Sequence, residues 1–551
     1  RDIGVTGVQT CALPIYPILS DQRKQAMRAA GFWSDQTLLE FFSRHARNDP
    51  GRLAVVGYEA ASNRRTALTY GELQQAAERT AANLLRLGVK PGEVVSYQLP
   101  NWWQFMALHL ALLRIGAVTN PIMPIFRDRE MEFMLTLAET RVLIVPQRFR
   151  DFDHAAMADR LKAKVPTLEH VVIIGSGDNQ DFETVLNSPG KRVEAATAAS
   201  ADDVVQLLYT SGTTGEPKGV MHTGNTLLNS VRYFEDRVRL TANDVVLMAS
   251  PMAHQTGFLV GLLLPLYLGG RVILQDIWNP AKAVDIVETE RVTMTMASTP
   301  FLADLTAEAE RRPEALRSLR TFVSAGAPIP RVLVRQATQN LGAHIVSGWG
   351  MTENGLVTTT KLDDPPEKVF ETDGCPSQGM EVRIVDGGGK VLPHDEEGRL
   401  QARGPGTFVG YLKRPHLYAV DQDGWFETGD LARKDKDGYI RITGRTKDIV
   451  IRGGENVPVI EIEQLMYRHP AVREVAIVGV PDERLGERAC ACVVLREGAL
   501  LTLADVMAYM AENAVAKNYW PERIEVLEAL PKTPSGKVQK FRLREIVSSM
   551  K

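Results

Sequence analysis

The stretch YTSGTTGEPKGV, from Tyr209 to Val220, indicates the fold class of this chain more directly than any other. It follows the apolar run Val204–Leu208, so a loop begins where a buried strand ends. Two glycines free backbone N–H groups and a lysine adds a mobile cation, which together suit bound phosphates. The spacing differs from that of a Walker loop. From these residues alone, a flexible surface loop remains the alternative. The candidate phosphate contacts are Thr210, Ser211, Gly212, Thr213, Thr214, Gly215 and Lys218.

Short apolar runs alternate with helical patterns before this loop. Thr69 and Glu72 form a capping box ahead of a helix with apolar residues at helical spacing. The runs Val94–Tyr97, Val142–Val145 and Val171–Ile174 are typical of buried parallel strands. This alternation predicts an α/β fold, with a large N-terminal domain of stacked α/β layers.

Length and composition limit the possible classes of protein. A chain of 551 residues is too long for one ordinary core, which predicts two or more domains. The net charge is −3, so neither nucleic acid nor an anionic membrane is an expected partner. The longest apolar stretch, Phe258–Leu268, is too short for a membrane span, and no secretory signal is visible. We therefore expect a cytoplasmic protein without an integral membrane segment, whose oligomeric state the sequence leaves open.

The four cysteines do not suggest a disulfide framework in a chain of this size. Cys490 and Cys492 lie two residues apart in an apolar stretch, so in a strand their side chains share one face. A metal site would need further ligands, and no second Cys or His pair is spaced to supply them. The sequence therefore favours buried core positions for both.

The pattern of polar and apolar residues changes near Gly438, which ends a polar turn. The remaining hundred or so residues contain a predicted strand, Val475–Val480, and a predicted helix near Leu503–Asn513. We predict a large domain over residues 16–446 and a small, mobile α+β domain over residues 447–551. The first fifteen residues, RDIGVTGVQTCALPI, resemble a translated sequencing adapter, and we expect them to be non-native.

The phosphate loop resembles that of the adenylate-forming superfamily, which includes acyl-CoA synthetases, adenylation domains and luciferases. The other motifs of that family follow in order along nearly the whole chain, and such an ordered set is far more specific than one match. They are Ser324–Pro328 (SAGAP), Gly348–Glu353 (GWGMTE), Thr428–Asp430 (TGD), Gly444–Arg445, Gly453–Asn456 (GGEN) and Pro534–Lys537 (PSGK). The resemblance implies a large domain of stacked layers with a distorted barrel, and a mobile small domain.

The resemblance also implies ATP, Mg²⁺ and coenzyme A as reactants and cofactors. Glu353 would bind the Mg²⁺ ion, since a hard cation prefers carboxylate oxygen. Thr352 would contact the α-phosphate, and Asp430 would accept hydrogen bonds from the ribose hydroxyls. Arg445 would reach ribose and phosphate from the domain boundary. The implied adenine slot consists of Gly326, Ala327, Pro328 and Trp349, and Gly350 and Met351 are further implied nucleotide contacts.

Four residues of the small domain are implied to serve the two steps of an adenylation and thiol-transfer reaction. Lys537 resembles the family's adenylation lysine, which bridges carboxylate and α-phosphate oxygens. Lys447 matches the family hinge, where a few backbone torsions reorient a domain. Gly453 and Gly454 would let backbone approach the pantetheine arm after that rotation.

The acyl pocket is assigned by position in the family, and its residues are mostly apolar, which favours a hydrophobic acid. His254 stands where the family places a gating or orienting group, and a buried structural histidine is the alternative. The implied pocket residues are Met252, His254, Phe301, Val323, Gly326, Trp349 and Leu356.

Three stretches are similar to cyclohexanecarboxylate–CoA ligases, which activate alicyclic and medium-chain acids: Met27–Trp33, Ile451–Pro458 and Tyr519–Glu522. The predicted function is an ATP-dependent acid–CoA ligase acting through an acyl-adenylate on an alicyclic, medium-chain or aryl acid. A stand-alone adenylation enzyme that loads a carrier protein is the alternative.

Overall fold

The computed structural model describes residues 17–189, 197–210, 217–327, 329–446, 448–452, 455–482, 484–513, 515–533 and 536–550. Its α-helices are α1 Asp21–Ala29, α2 Leu38–Asn48, α3 Tyr70–Arg86, α4 Trp103–Arg114, α5 Asp128–Leu137, α6 His154–Lys162, α7 Phe182–Val185, α8 Gly224–Arg237, α9 Leu264–Leu268, α10 Pro280–Glu290, α11 Thr299–Arg311, α12 Arg331–Leu341, α13 Pro366–Glu371, α14 Val459–Tyr467, α15 Leu503–Glu512 and α16 Lys540–Ser549. A π-helix covers Gly257–Leu263, and short 3₁₀ turns cover Pro313–Leu316, Pro415–Leu417 and Lys517–Tyr519.

The strands follow in chain order: β1 Leu53–Glu59, β2 Arg64–Thr69, β3 Val94–Tyr97, β4 Val118–Pro121, β5 Val142–Pro146, β6 Arg148–Phe149, β7 Phe152–Asp153, β8 His170–Ile174, β9 Val204–Thr210, β10 Lys218–Thr223, β11 Val245–Met248, β12 Arg271–Gln275, β13 Met294–Ala297, β14 Thr321–Ser324, β15 His344–Met351, β16 Gly355–Thr359, β17 Cys375–Pro376, β18 Glu381–Val385, β19 Gly398–Arg403, β20 Phe426–Lys434, β21 Ile440–Arg445, β22 Val450–Arg452, β23 Glu455–Val457, β24 Val472–Asp482, β25 Gly486–Leu495 and β26 Arg523–Val526.

Of the described strands, nine form sheet I in the order β17-β16-β15-β14-β13-β11-β12-β1-β2. Its central neighbours, from β1 to β15, pair in parallel, and antiparallel strands close both ends. Six more described strands form sheet II in the order β10-β9-β4-β3-β5-β8, parallel except for the pair β9–β10. The layered α/β architecture predicted from the sequence is confirmed.

Sheet II shows why the short apolar runs become parallel strands. All five residues of β5 are buried, because neighbouring strands pair with both of its edges and helices cover both of its faces. The capping box predicted at Thr69 and Glu72 is present and begins α3, whose apolar stripe faces the core. The strands predicted at residues 94–97, 142–145 and 171–174 are confirmed as β3, β5 and most of β8.

Sheet I separates two hydrophobic cores. Val246 and Met248 of β11 point into the core shared with sheet II, whereas Val245 and Leu247 point into a core covered by α10, α11 and α12. Successive side chains of a strand face opposite sides, so a residue's position along each strand decides which core it enters.

Two further sheets follow sheet I along the chain. Strands β18 to β21 pair in sequence as the antiparallel sheet III, at the place of the barrel implied by the resemblance. Strands β22 to β26 form sheet IV, in which β24 and β25 are the longest pair. Every described strand after Arg445 pairs within sheet IV, so a small α+β domain follows the large one. The boundary at 446/447 stays a prediction, because Lys447 lies outside the described residues.

The small domain has its own cores. Cys490 and Cys492 are buried side by side on one face of β25, which confirms the core positions predicted for them. The strand predicted at residues 475–480 lies within β24, and the helix predicted near 503–513 is α15. Among the described residues, no helix combines the length and the apolar character needed to cross a membrane.

Gly374 joins sheet I to sheet III and allows a test of this junction. Its backbone carbonyl accepts a hydrogen bond from Ile440 N of β21 at 2.9 Å, and its φ is +87°. A Cβ atom here would overlap the backbone of Thr359 and Thr360. Gly389 has the same φ of +87°, but a Cβ atom there would meet open space.

We expect Gly374→Ala to lower the free energy of unfolding of the large domain by ~3 kcal/mol or more, because overlap adds to left-handed strain. The matched control Gly389→Ala should lower it by only about 1 kcal/mol, the cost of the strain alone. Denaturant unfolding of both variants measures the difference. Equal losses would show that the close approach of the two sheets at Gly374 is not a constraint.

Candidate active site between the large and small domains

The carboxyl ends of the central strands of sheet I meet at one edge of the sheet. The chain leaves β11 toward His254, β13 toward Ser298, β14 toward Gly326 and β15 toward Glu353. Parallel strands present their carboxyl ends on the same side, and open α/β sheets bind ligands there. Residues far apart in sequence are thereby brought to one place.

A cleft of about 870 Å³ lies at this edge, between the large domain and the small one. It holds many of the residues assigned to the nucleotide from the sequence. The predicted site residues that line it are Gly326, Ala327, Trp349, Gly350, Asp430, Arg445 and Lys537.

The carboxylate of Asp430 holds three strands together at the base of the cleft. Its Oδ2 atom accepts a hydrogen bond from the indole Nε1–H of Trp349 at 2.9 Å. Its Oδ1 atom accepts one from Nε–H of Arg445 at 2.6 Å. Asp430 is 4% exposed, and a buried carboxylate is stable only when charge and hydrogen bonds compensate it. The Asp430 carboxylate also raises the pKa of Arg445.

Lys537 reaches the cleft on a tight turn of the small domain. The carbonyl of Lys537 accepts from Thr533 N at 2.7 Å, and Lys537 N donates to Thr533 Oγ1 at 3.0 Å. Gly536 has a φ of +82°, and a Cβ atom there would lie 2.5 Å from Ser298 Oγ and 3.1 Å from Pro300 Cγ. Glycine therefore lets the turn dock directly on the large domain after β13.

The charges around Lys537 set its protonation. Burial, aided by the guanidinium of Arg445, lowers the pKa of Lys537 to about 8. The carboxylates of Asp430, Asp448 and Glu353 act in the opposite direction. His254 lies close enough that the Lys537 charge, together with burial, lowers the pKa of His254 to about 4. His254 is therefore neutral at physiological pH, and its Nδ1 atom accepts from Thr256 N at 3.4 Å, which leaves the proton on Nε2.

The turn of Thr352 and Glu353 is held from outside by three hydrogen bonds. His222 Nε2–H donates to the Thr352 carbonyl at 2.7 Å, and Phe408 N donates to the Glu353 carbonyl at 2.7 Å. The hydroxyl of Tyr411 donates to Glu353 Oε1 at 2.8 Å. Burial raises the pKa of Glu353, and the Tyr411 bond opposes that effect.

The donor chemistry of Glu353 fits a Mg²⁺ ion bound together with ATP phosphates. The ion takes few protein ligands, all oxygen, and keeps waters and phosphate oxygens for the rest. The Tyr411 bond uses one carboxylate oxygen, and the other is left for a cation. Among the residues that the structure describes, no three His, Cys, Asp or Glu side chains group as a cage for a metal ion. A single carboxylate is therefore the appropriate kind of partner here.

The predicted acyl-pocket residues do not all lie together. Met252, Val323 and Leu356 belong to the core between sheets I and II. Phe301 lies on α11 in the core on the opposite face of sheet I, with its ring centroid 4.8 Å from that of Trp278. Phe301 is thus separated from the others by the sheet itself, and its assignment stays a prediction.

Several predicted site residues fall outside the described part of the chain. Thr210 is described as the last residue of β9, and Lys218 as the first of β10. Met351 ends β15, partly buried against the cores beside sheet III. The predicted residues that lie outside the described ranges are Ser211, Gly212, Thr213, Thr214, Gly215, Pro328, Lys447, Gly453 and Gly454, and residues 1–15 lie outside them as well.

Comparison with known protein families agrees with this geometry. The family described as AMP-binding enzyme matches residues 42–412, and the AMP-binding enzyme C-terminal domain matches residues 461–537. This chain belongs to the AMP-binding enzyme family. The resemblance predicted from the motifs is confirmed, and so is the coarse function of an adenylate-forming acid ligase.

Relatives within the AMP-binding enzyme family differ in their acids and in their acceptors. A medium-chain fatty-acid–CoA ligase of Escherichia coli is 37% identical over 96% of this chain and 93% of its own length. A salicyl-AMP ligase/salicyl-S-ArCP synthetase of Mycobacterium tuberculosis is 36% identical over 94% of this chain and 92% of its own. ATP-bound MatB from Rhodopseudomonas palustris has a TM-score of 0.84, with 30% identity over 94% of this chain and all of that one.

Sequence reasoning missed residues that hold the family motifs in place. His222 and Tyr411 contact the Thr352–Glu353 turn, and Ser298 contacts the Lys537 turn. A single histidine, tyrosine or serine outside a recognised motif gives no indication in the sequence that it contacts the site. The Gly410–Tyr411 pair is the one local hint, because a glycine there precedes an aromatic residue that turns inward.

The lowered pKa of Lys537 can be checked by competitive labelling of amines with an acylating reagent, read by mass spectrometry across pH. Only the neutral amine reacts, so half-maximal labelling of Lys537 is expected near pH 8. Lys368 is the matched control, because hydrogen bonds to Asp435 and Asp437 raise its pKa. We expect its midpoint more than about two pH units higher. Equal midpoints would contradict the electrostatic environment described for the cleft.

Proposed function

We propose that this chain is an ATP-dependent acid–CoA ligase, which converts a carboxylic acid, ATP and CoA into acyl-CoA, AMP and pyrophosphate. The observation that carries the proposal is the position of Lys537. This cation belongs to the small domain, yet it lines the same cleft as Asp430 and Arg445 of the large domain. A reaction between two anions needs a cation between them, and a cation on a separate domain can be withdrawn before a second step.

In the first step a carboxylate oxygen of the acid attacks the α-phosphorus of ATP. The bond from that phosphorus to the bridging oxygen breaks, and pyrophosphate leaves with the electron pair. The Lys537 ammonium would neutralise the negative charge that the carboxylate and the α-phosphate share in the transition state. The neutral His254 ring, with its proton on Nε2, would donate to the acid carboxylate and orient it.

Two further groups would hold the nucleotide during this step. The loop from Thr210 to Lys218 would bind the β- and γ-phosphates, and Asp430 and Arg445 would contact the ribose. Glu353 would hold the Mg²⁺ ion of the nucleotide complex, which when bound neutralises charge on the phosphate oxygens. Each of these roles follows the family pattern at the matching residue.

In the second step the sulfur of CoA attacks the acyl carbon, the bond from that carbon to the AMP phosphate oxygen breaks, and AMP leaves. The thiol proton passes to solvent. For this step we propose that the small domain rotates about Lys447, withdraws Lys537, and brings Gly453 and Gly454 toward the thiol arm. The exclusion of Lys537 from the thiol step is the testable consequence of that rotation.

We propose a hydrophobic acid of medium-chain, alicyclic or aryl type as the substrate. The pocket residues Met252, Val323 and Leu356 belong to one apolar core, which favours a hydrophobic acid. The medium-chain fatty-acid–CoA ligase relative supports the same class. The second candidate is transfer of the acyl group to a carrier protein, which the salicyl-S-ArCP synthetase relative favours.

The deciding assay is AMP release with Mg·ATP over benzoate, cyclohexanecarboxylate, octanoate and acetate, each with and without CoA. We expect AMP only when CoA and a hydrophobic acid are both present, and little with acetate, because each buried methylene adds to binding. Pyrophosphate exchange with an acid, without CoA-dependent AMP release, would instead support carrier-protein loading. No exchange with any acid would refute adenylation of these classes.

We expect Lys537→Ala to slow acyl-adenylate formation by about 10²- to 10³-fold, because the variant lacks the cation between the reactants. The same variant should still convert supplied acyl-adenylate and CoA to thioester at the wild-type rate. Lys517→Ala, at an exposed lysine of the same domain, is the control and should leave both half-reactions unchanged. Equal loss of the two half-reactions in Lys537→Ala would show that Lys537 is not specific to adenylation.

A further inference from the structure

Tyr411 lies on a short ladder that extends sheet II beyond β10. Val409 N donates to Met221 O at 3.0 Å, Met221 N to Gly410 O at 3.0 Å, and Leu412 N to Gly219 O at 2.8 Å. Gly410 has a φ of +127°, and a Cβ atom there would lie 3.1 Å from Met221 Cε. The backbone of Tyr411 is therefore fixed to the strand that follows the phosphate loop.

The hydroxyl of Tyr411 donates to Glu353 Oε1 at 2.8 Å, and both residues are buried, at 4% and 6% exposure. The ionised carboxylate can only accept, so the tyrosine is the donor. The neighbouring Phe408 N donates to the backbone carbonyl of Glu353 at 2.7 Å. One segment thus holds both the main chain and the carboxylate of Glu353.

The ring of Tyr411 has a second function in packing. Its centroid lies 4.8 Å from that of Phe408, and the two rings share a core with Val220 and Phe426. Lys218 Nζ lies 5.0 Å from the Tyr411 ring centroid, within the range of a cation–π contact. The tyrosine therefore contacts a cation beside the phosphate loop through its ring and the buried carboxylate through its hydroxyl.

We propose that Tyr411 is a positioning residue, which fixes the Glu353 carboxylate in the orientation that binds the divalent cation of the nucleotide complex. The proposal rests on the proposed function in taking Glu353 as the cation ligand. A carboxylate on a turn can rotate about its side-chain bonds, and a hydrogen bond to one oxygen selects one orientation. Partners that orient a metal-binding group in this way typically contribute about 10- to 100-fold to metal affinity.

The test uses Tyr411→Phe, which removes the hydroxyl and keeps the ring, its packing and the Lys218 contact. The measurement is the dissociation constant of ATP by calorimetry, without any acid, once with Mg²⁺ and once with a chelator. The ratio of the two constants reports how much the cation contributes to binding. We expect Tyr411→Phe to reduce that ratio about tenfold and to leave metal-free ATP binding unchanged.

Two comparisons separate positioning from a general structural effect. Glu353→Gln should lose the Mg²⁺-dependent tightening, and Glu353→Gln/Tyr411→Phe should lose no more, because coupled residues are not additive. Tyr418→Phe is the matched control, since Tyr418 belongs to the same aromatic cluster but bonds the Phe408 carbonyl. It should keep the wild-type ratio.

The proposal is overturned if Tyr411→Phe keeps the wild-type ratio, or if its loss adds in full to that of Glu353→Gln. It is also overturned if Tyr418→Phe loses as much. Failure of the proposed function gives a different result, because wild-type protein would then bind ATP equally with and without Mg²⁺. The wild-type measurement therefore comes first and distinguishes the two outcomes.

Discussion

The buried carboxylate of Asp430 is the interaction on which the arrangement of the site depends. It receives the indole N–H of Trp349 from sheet I and the guanidinium of Arg445 from sheet III. Desolvation of a carboxylate is unfavourable unless hydrogen-bond donors compensate it. Burial of Asp430 therefore requires that Trp349 and Arg445 both lie beside it. Because Arg445 is the last residue of β21, the same interaction fixes the end of sheet III.

A second support connects Lys218 to the Thr352–Glu353 turn. Strand β10, which begins with Lys218, carries His222, and the segment paired to β10 carries Tyr411. Both side chains bond the Thr352–Glu353 turn. Lys218 and the Glu353 carboxylate are thus both held by the same ladder of backbone hydrogen bonds. Their separation is set by backbone hydrogen bonds, which are far stiffer than long side chains.

The electrostatics of the cleft follow from burial combined with close charges. Lys537 has a lowered pKa because desolvation and Arg445 both disfavour its charge, and the nearby carboxylates only partly oppose them. The charge of Lys537 in turn helps to keep His254 neutral. An anionic group beside Lys537 would favour the charged form of its amine.

Local patterns predicted the elements, because strands, caps and helices depend on neighbouring residues. The capping box at Thr69, the buried strand that became β5 and the core positions of Cys490 and Cys492 were all predicted from such patterns. Motif order predicted seven of the residues that line the cleft, among them Asp430, Arg445 and Lys537. Phe301 shows the limit, because the core it enters depends on which face of sheet I helix α11 packs against.

The sequence by itself determined the α/β class and the family, because both are encoded in short, local patterns, and it predicted candidate site residues from the same motifs. Tertiary structure alone decided that Tyr411 and His222 hold the Thr352–Glu353 turn, and that Ser298 receives the Lys537 turn. Those contacts join residues separated by 58, 130 and more than two hundred positions. No local pattern encodes such pairs, since the packing of whole sheets and of one domain on another brings them together.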